Sequence, residues 1–187
     1  MAAATQGTDT LDDLMKVKGK AELVNGRIVT FMSTGRVPGR IAKRILRSLD
    51  DYEIRTRSGE ALGDNVGYAL RAPLPNGRQS FNPDVSYYIG TSAYNDPGFI
   101  DDVPTVAVEV RSEHDFGPAN DIEYADKRAD YFLAGTPVVL DVDYRAQTVT
   151  VYRSGDTHNG TVFAVGDTLD VEPTLPGWRL AVADIFA

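Results

Sequence analysis

The sequence predicts an α/β (α+β) fold, a mixed β-sheet core flanked by helices with additional β-hairpins. Three observations carry that expectation. An Asn25-Gly26 step joins two β-prone arms. A stripe of Ile41, Ile45, Leu46, Leu49 and Tyr52 recurs at helical spacing. Two apolar strand-like segments are linked by a stretch opened by Gly117-Pro118 and closed by Gly135.

The elements follow in order. Residues 1–8 are small and polar and read as a disordered N-terminus, leaving 9–187 as a single domain. A short helix is expected over Leu11 to Val17. A hairpin follows over Glu22 to Val29, because Asn and Gly both tolerate the positive φ of a two-residue turn. After a loop from Ser33 to Val37, a helix is expected from about Pro38 to Arg55, with proline suited to the first turn. Ala61 to Leu70 and Ser80 to Ile89 flank the turn-rich Pro73-Leu74-Pro75-Asn76-Gly77 and read as an antiparallel pair. Val103 to Arg111 is the most apolar segment and should lie centrally. A helix from Pro118 to about Ala134 leads to a buried strand over Pro137 to Val142. This strand–helix–strand unit should cross over right-handed and leave its strands parallel. Short strands over Thr148 to Tyr152 and Thr161 to Val165, then Leu175-Pro176-Gly177-Trp178 and a terminal turn, complete the chain.

Composition narrows the chemistry. Hydrophobic residues are 42% and charged residues 25% of 187, ordinary for a globular chain. No cysteine is present, which excludes disulfides, zinc–thiolate sites and a cysteine nucleophile. No apolar run approaches a membrane span and the N-terminus lacks a signal-peptide pattern, so a cytoplasmic location without membrane contact is expected. The net charge of −8 opposes sequence-blind coating of nucleic acid. A local basic surface exists nevertheless in Arg36, Arg40, Lys43, Arg44, Arg47, Arg55 and Arg57. Arg40, Lys43, Arg44 and Arg47 fall largely off the apolar stripe, forming either a solvated face or one that meets phosphate.

P-loop, Gly-x-Ser-x-Gly and His-Glu-x-x-His patterns are absent, and His114 and His158 lie in polar surroundings. What remains are carboxylates in strands. Val106, Val108 and Val110 share one face, so Glu109 points to the other from within an apolar strand. Asp84 lies just inside a strand behind Pro83. Burying a carboxylate costs several kcal/mol unless it is paired or coordinates a cation. Two on adjacent strands repel unless one is protonated or a divalent ion lies between them. Lys127, on the helix after the Glu109 strand, shares a face with Tyr124 and Tyr131 and could reach the acids; Glu22 is a fourth candidate. Each alone could equally be an ordinary salt bridge.

The order of these elements, with Pro83-Asp84 and then Glu109-Val110-Arg111 beginning 25 positions after Asp84, resembles the PD-(D/E)XK nuclease core. More narrowly the chain resembles the Uma-type "putative restriction endonuclease" family. The matching fragments are Glu22-Leu23-Val24-Asn25-Gly26-Arg27, Asn82-Pro83-Asp84-Val85, Val108-Glu109-Val110-Arg111-Ser112 and Asp126-Lys127 through Tyr131 to Ala134-Gly135. Asp141-Val142-Asp143, Thr148 to Tyr152 and Leu175-Pro176-Gly177 match as well. The resemblance implies a restriction-endonuclease-like fold and DNA as partner. It implies Mg²⁺ or Mn²⁺ held by Asp84, Glu109 and the Val110 carbonyl, with Glu22 assisting directly or through water. Lys127 would orient the attacking water or stabilise charge on the phosphate. Arg36, Arg40, Lys43, Arg44, Arg47 and Arg111 would then be the DNA-binding candidates. A homodimer would suit double-strand cutting. Three departures stand out: Arg111 where the superfamily's usual lysine stands, Glu113 where the family has proline, and Pro38 near a common histidine. Arginine keeps its charge and cannot act as a base. Two other readings stay open: a catalytically silent module for DNA or protein, and an unrelated β-rich ligand-binding domain with Glu109 paired to Lys127 or Arg111.

Overall fold

The computed structural model describes residues 7–92 and 97–187. The expectation of disorder over residues 1–8 falls mostly on 1–6, outside the described residues. Gly7 donates its amide to the Asn25 carbonyl at 2.9 Å.

Helix α1 spans Leu11–Leu14, shorter than expected, and starts on a capping box between Thr10 and Asp13. Strands β1 (Ala21–Val24) and β2 (Arg27–Thr30) form the expected hairpin. Asn25 (φ 52°) and Gly26 (φ 65°) both occupy the left-handed region that a two-residue turn of this hand requires. Helix α2 runs Arg36–Thr56, so Pro38 lies inside its first turn rather than at its start, still where an amide is not needed.

The two long strands predicted next are each interrupted. Ala61 to Leu70 resolves into β3 (Glu60–Leu62) and β4 (Tyr68–Ala69), separated by a turn in which Asn65 has φ 68°. Ser80 to Ile89 resolves into β5 (Ser80–Phe81) and β6 (Val85–Tyr88), separated at Pro83, which has no amide to donate. The antiparallel pairing survives both breaks: β4 pairs with β5 and β3 with β6. Asp64 and Asp84 each sit in one of the gaps.

Strand β7 (Val106–Val110) lies centrally, between β6 and β8 (Val138–Asp143). Helix α3 (Pro118–Ala134) links β7 to β8, which pair in parallel, as the strand–helix–strand reading requires. Strands β9 (Thr148–Arg153) and β10 (Asp156–Ala164) extend the sheet to the order β10-β9-β8-β7-β6-β3. β10 starts earlier than expected and carries a bulge between Asp156 and Thr161. A two-stranded ladder of β11 (Thr168–Leu169) with β12 (Leu180–Ala181) and helix α4 (Val182–Phe186) closes the chain.

The sheet divides two apolar clusters. On one face Ile41, Ile45, Leu49 and Tyr52 of α2, with Trp178 and Ile185, pack on Val85, Tyr87, Val106, Val108 and Val110. Each such side chain, fully removed from water, contributes about 1.5–3 kcal/mol. On the other face Tyr131 of α3 packs with Phe81, Tyr68, Tyr88, Ala107 and Val139. Even-numbered β7 residues therefore face α2, and Glu109 faces α3. No helix among the described residues is long and apolar enough to cross a membrane.

Candidate metal centre

The break at Pro83 makes the site. With the ladder interrupted, Asp84 turns across the end of β7: its amide donates to the Val108 carbonyl at 3.1 Å and its Oδ2 accepts the Val110 amide at 2.7 Å. Val85 pairs with Val108, so the same register carries Asp84 towards Glu109, on the α3 face.

Glu109 is only 8% exposed. Its Oε1 accepts a hydrogen bond from the Tyr131 hydroxyl at 2.7 Å and lies 2.9 Å from Lys127 Nζ. Tyr131 and Lys127 are four apart on α3, one turn on the same face, which is why one helix delivers both. The same Nζ lies 2.9 Å from Oε1 of Glu22, which is 1% exposed on β1. Glu22 also accepts the Asn82 amide at 3.0 Å and pairs with Arg78, which in turn meets Asp130 at 2.7 Å. Lys20 bonds Oδ1 of Asp84 and lies 3.1 Å from Asp64.

Electrostatics set the acids apart. Burial pushes Glu109 above the usual carboxylate range; Lys127 pulls it back, but Asp84 adds to the rise. For Glu22 burial is the largest single effect and acts upward, yet Lys127 and Arg78 together outweigh it and hold the group low. Burial would depress Lys127, but Glu109 and Glu22 overcome it and keep the ammonium charged. Lys20 is likewise raised, by Asp84 and Glu109 against its own burial.

Asp84, Glu109, Lys127 and Glu22 are thus brought together, with Val110 touching Asp84 through its amide. Arg111 lies beside them but is engaged elsewhere. Its guanidinium makes two bonds to Asp141, another to Asp121, and lies over the Tyr124 ring. Arg36, Arg40, Lys43, Arg44 and Arg47 are not brought to the acids, because α2 covers the opposite face of the sheet. Arg40 and Arg44 bond the carbonyls of Ala187 and Ile185, at 3.2 and 3.1 Å. Both histidines are exposed.

Sequence reasoning missed Lys20, Arg78, Asp64 and Asp130. Lys20 was findable: two positions before Glu22 in an extended segment, it shares that residue's face. Arg78, Asp64 and Asp130 left no such signal, since loops and a neighbouring helix turn bring them in.

The donor set suits a hard divalent cation. Asp84 and Glu109 offer carboxylate oxygens with a backbone carbonyl close by. Mg²⁺ is commonly held by one or two carboxylates while keeping several waters. No set of three or more His, Asp or Glu converges as a metal site among the described residues. Charge agrees. Two groups of ion pairs lie here, Lys20 with Asp64 and Asp84, and Arg78 and Lys127 with Glu22, Glu109 and Asp130, and each leaves one negative charge in excess. A cavity of about 10 Å³, room for roughly one water, lies against Glu109, Tyr124, Lys127 and Tyr131.

Residues 9–183 match the Uma2 family, described as "Putative restriction endonuclease". Among solved structures the chain is similar to the crystal structure of "a putative nuclease belonging to DUF820" from Anabaena variabilis ATCC 29413. Identity is 19% and the TM-score 0.73, over 95% of this chain and 97% of that one. At this identity the likeness speaks for the fold. No match was found among curated proteins.

Proposed function

The chain belongs to the Uma2 restriction-endonuclease family, and from that premise we propose that it is a divalent-metal-dependent endonuclease hydrolysing phosphodiester bonds in DNA. The observation that carries the reading is the convergence of Asp84 and Glu109 from neighbouring strands, with the Lys127 ammonium on Glu109. Asp84, Glu109 and the Val110 carbonyl would hold Mg²⁺ or Mn²⁺, with Glu22 assisting. Bound there, the ion supplies Lewis-acid polarisation of the phosphate and a more acidic water.

The remaining roles belong to the chain. Tyr131 fixes the Glu109 carboxylate by its hydroxyl. Glu22 holds Lys127 in place and, with Glu109, keeps it protonated. A lysine held charged cannot take a proton from water near neutral pH. Its part is therefore electrostatic: it steadies negative charge on the phosphate through hydrogen bonds. Arg111, committed to Asp141 and Asp121, supports the site from behind. Residues 9–187 act as one unit in this reading, in the cytoplasm, and a pair of copies would suit cutting of both strands.

The test is plasmid cleavage with Mg²⁺ or Mn²⁺, with excess chelator as control. Cleavage should require the ion and should disappear in folded Glu109→Ala and Lys127→Ala proteins. A second reading, a catalytically silent module that binds DNA or protein, is favoured by one observation: Lys20 and Lys127 already neutralise Asp84 and Glu109. It predicts binding without turnover, indifferent to the ion.

A further inference from the structure

Lys20 occupies the place on Asp84 that a metal ion would need. Asp84 Oδ2 is committed to the Val110 amide, so Oδ1 is the oxygen left for a cation, and Oδ1 carries the Lys20 ammonium. An ammonium and a divalent ion on one carboxylate oxygen would repel at contact range, so both cannot hold the position together. A second seat is already provided. Asp64 Oδ1 lies 3.1 Å from the same Nζ, in the turn between β3 and β4, and its side chain is 39% exposed. The turn is pinned locally, with the Asn65 amide donating to Asp64 at 3.0 Å.

We propose that Lys20 is a tethered cation gating the metal site: it closes Asp84 in the metal-free protein and moves onto Asp64 when a divalent ion binds. The proposal rests on the metal-site reading but concerns the ion alone, without DNA. Lys20 and Asp64 form a two-position device. One seat lies on a nearly enclosed carboxylate (Asp84, 13% exposed) and the other on a half-exposed one at the rim. The gate would keep the site shut at low metal concentration, because apparent affinity falls by the fraction of molecules whose site is open.

The experiment is direct titration with Mn²⁺, following free ion by paramagnetic resonance, on wild type, Lys20→Met, Asp64→Asn and the double variant, with Asp84→Asn as control. Lys20→Met should bind Mn²⁺ roughly tenfold more tightly, the factor expected if the closed arrangement holds about nine molecules in ten. Asp64→Asn, at a half-exposed turn, should fold normally and bind more weakly, because it removes the second seat. In the Lys20→Met background the same Asp64 change should have no effect, a non-additivity that a general loss of negative charge would not produce. Unchanged or weaker binding by Lys20→Met, tighter binding by Asp64→Asn, or no binding by any protein overturns the gate. Gated Mn²⁺ binding without plasmid cleavage would leave the gate standing and defeat the nuclease reading. Cleavage with no effect of Lys20→Met on affinity would do the reverse.

Discussion

Arg111 and Asp141 form a two-pronged ion pair across neighbouring strands, with Nε to Oδ1 at 2.9 Å and the second bond at 2.8 Å. Asp141 is the residue in register with Glu109 across the parallel β7–β8 pairing, so this pair braces the site from the β8 side. Both partners are largely buried, and breaking such a pair strands the other charge. Arg111→Ala should lower stability by about 3 kcal/mol, read as a shift in the urea midpoint. Arg111→Lys should recover little, because an ammonium cannot reproduce the planar fork. An unchanged midpoint with weakened DNA binding would instead make Arg111 a contact to the substrate.

Glu109 carries an opposite expectation for stability and function. Its folded-state pKa is raised, chiefly by burial, so its ionised form costs stability near neutral pH. Glu109→Gln should therefore leave the metal-free protein as stable as wild type or more so, with thermal melting as the measurement. The same change should abolish Mn²⁺ binding and reduce cleavage by on the order of 10²-fold or more, as loss of a principal electrostatic group does. Asp84→Asn should match it in metal binding and cleavage. A variant that melts lower yet cleaves normally would mark Glu109 as a structural ion pair.

Much of this site was legible because strand chemistry is local. A carboxylate inside the Val106–Val110 run must face away from the valines, and a proline before Asp84 must interrupt a ladder; both follow from periodicity and a missing amide. The helix bounded by Gly117 and Gly135 was legible for the same reason: both ends adopt positive φ that glycine accepts at no cost. The two strand interruptions, and the capture of Asp64 and Arg78, were not. They arise where distant loops close on the sheet, and no periodicity in one segment encodes its partner. The basic face of α2 was read from sequence, yet its position relative to the acids depends on which side of the sheet the helix covers.

That position makes a graded expectation for DNA. The ring centroid of Phe31, on the segment leading into α2, lies 5.5 Å from Lys127 Nζ, so DNA that reached the site past Phe31 would meet the N-terminal end of α2 first. At about 1.5 Å rise per residue, Arg47 stands roughly 16 Å further along the axis than Arg36. If DNA lies across the site, Arg36→Ala and Arg40→Ala should weaken binding and each reduce the salt dependence by about one counterion. Lys43→Ala and Arg47→Ala should do less. Titrations at several salt concentrations decide it, and a uniform effect along the helix would mean that DNA does not approach from this end.

The Glu22–Lys127–Arg78 cluster should make the fold sensitive to acid. Glu22 titrates below its ordinary 4.5 in the folded chain, because Lys127 and Arg78 outweigh its burial. A depressed carboxylate contributes stability in full above its unfolded value and loses it as pH falls through the folded one. Glu109, raised, works with the opposite sign: its contribution is present below about 4.5 and lost as pH rises. Between about pH 3 and about pH 7 the Glu22 contribution should therefore lower the urea midpoint towards the acid end, with Glu109 opposing that fall. Glu22→Gln should flatten that acid limb while lowering stability at neutral pH, because Lys127 and Arg78 lose their shared partner. Glu22→Gln combined with Glu109→Gln should remove most of the pH dependence left by these two groups. An acid limb as steep in Glu22→Gln as in wild type would move the acid sensitivity to other carboxylates and leave Glu22 a pair without consequence for the pH limit.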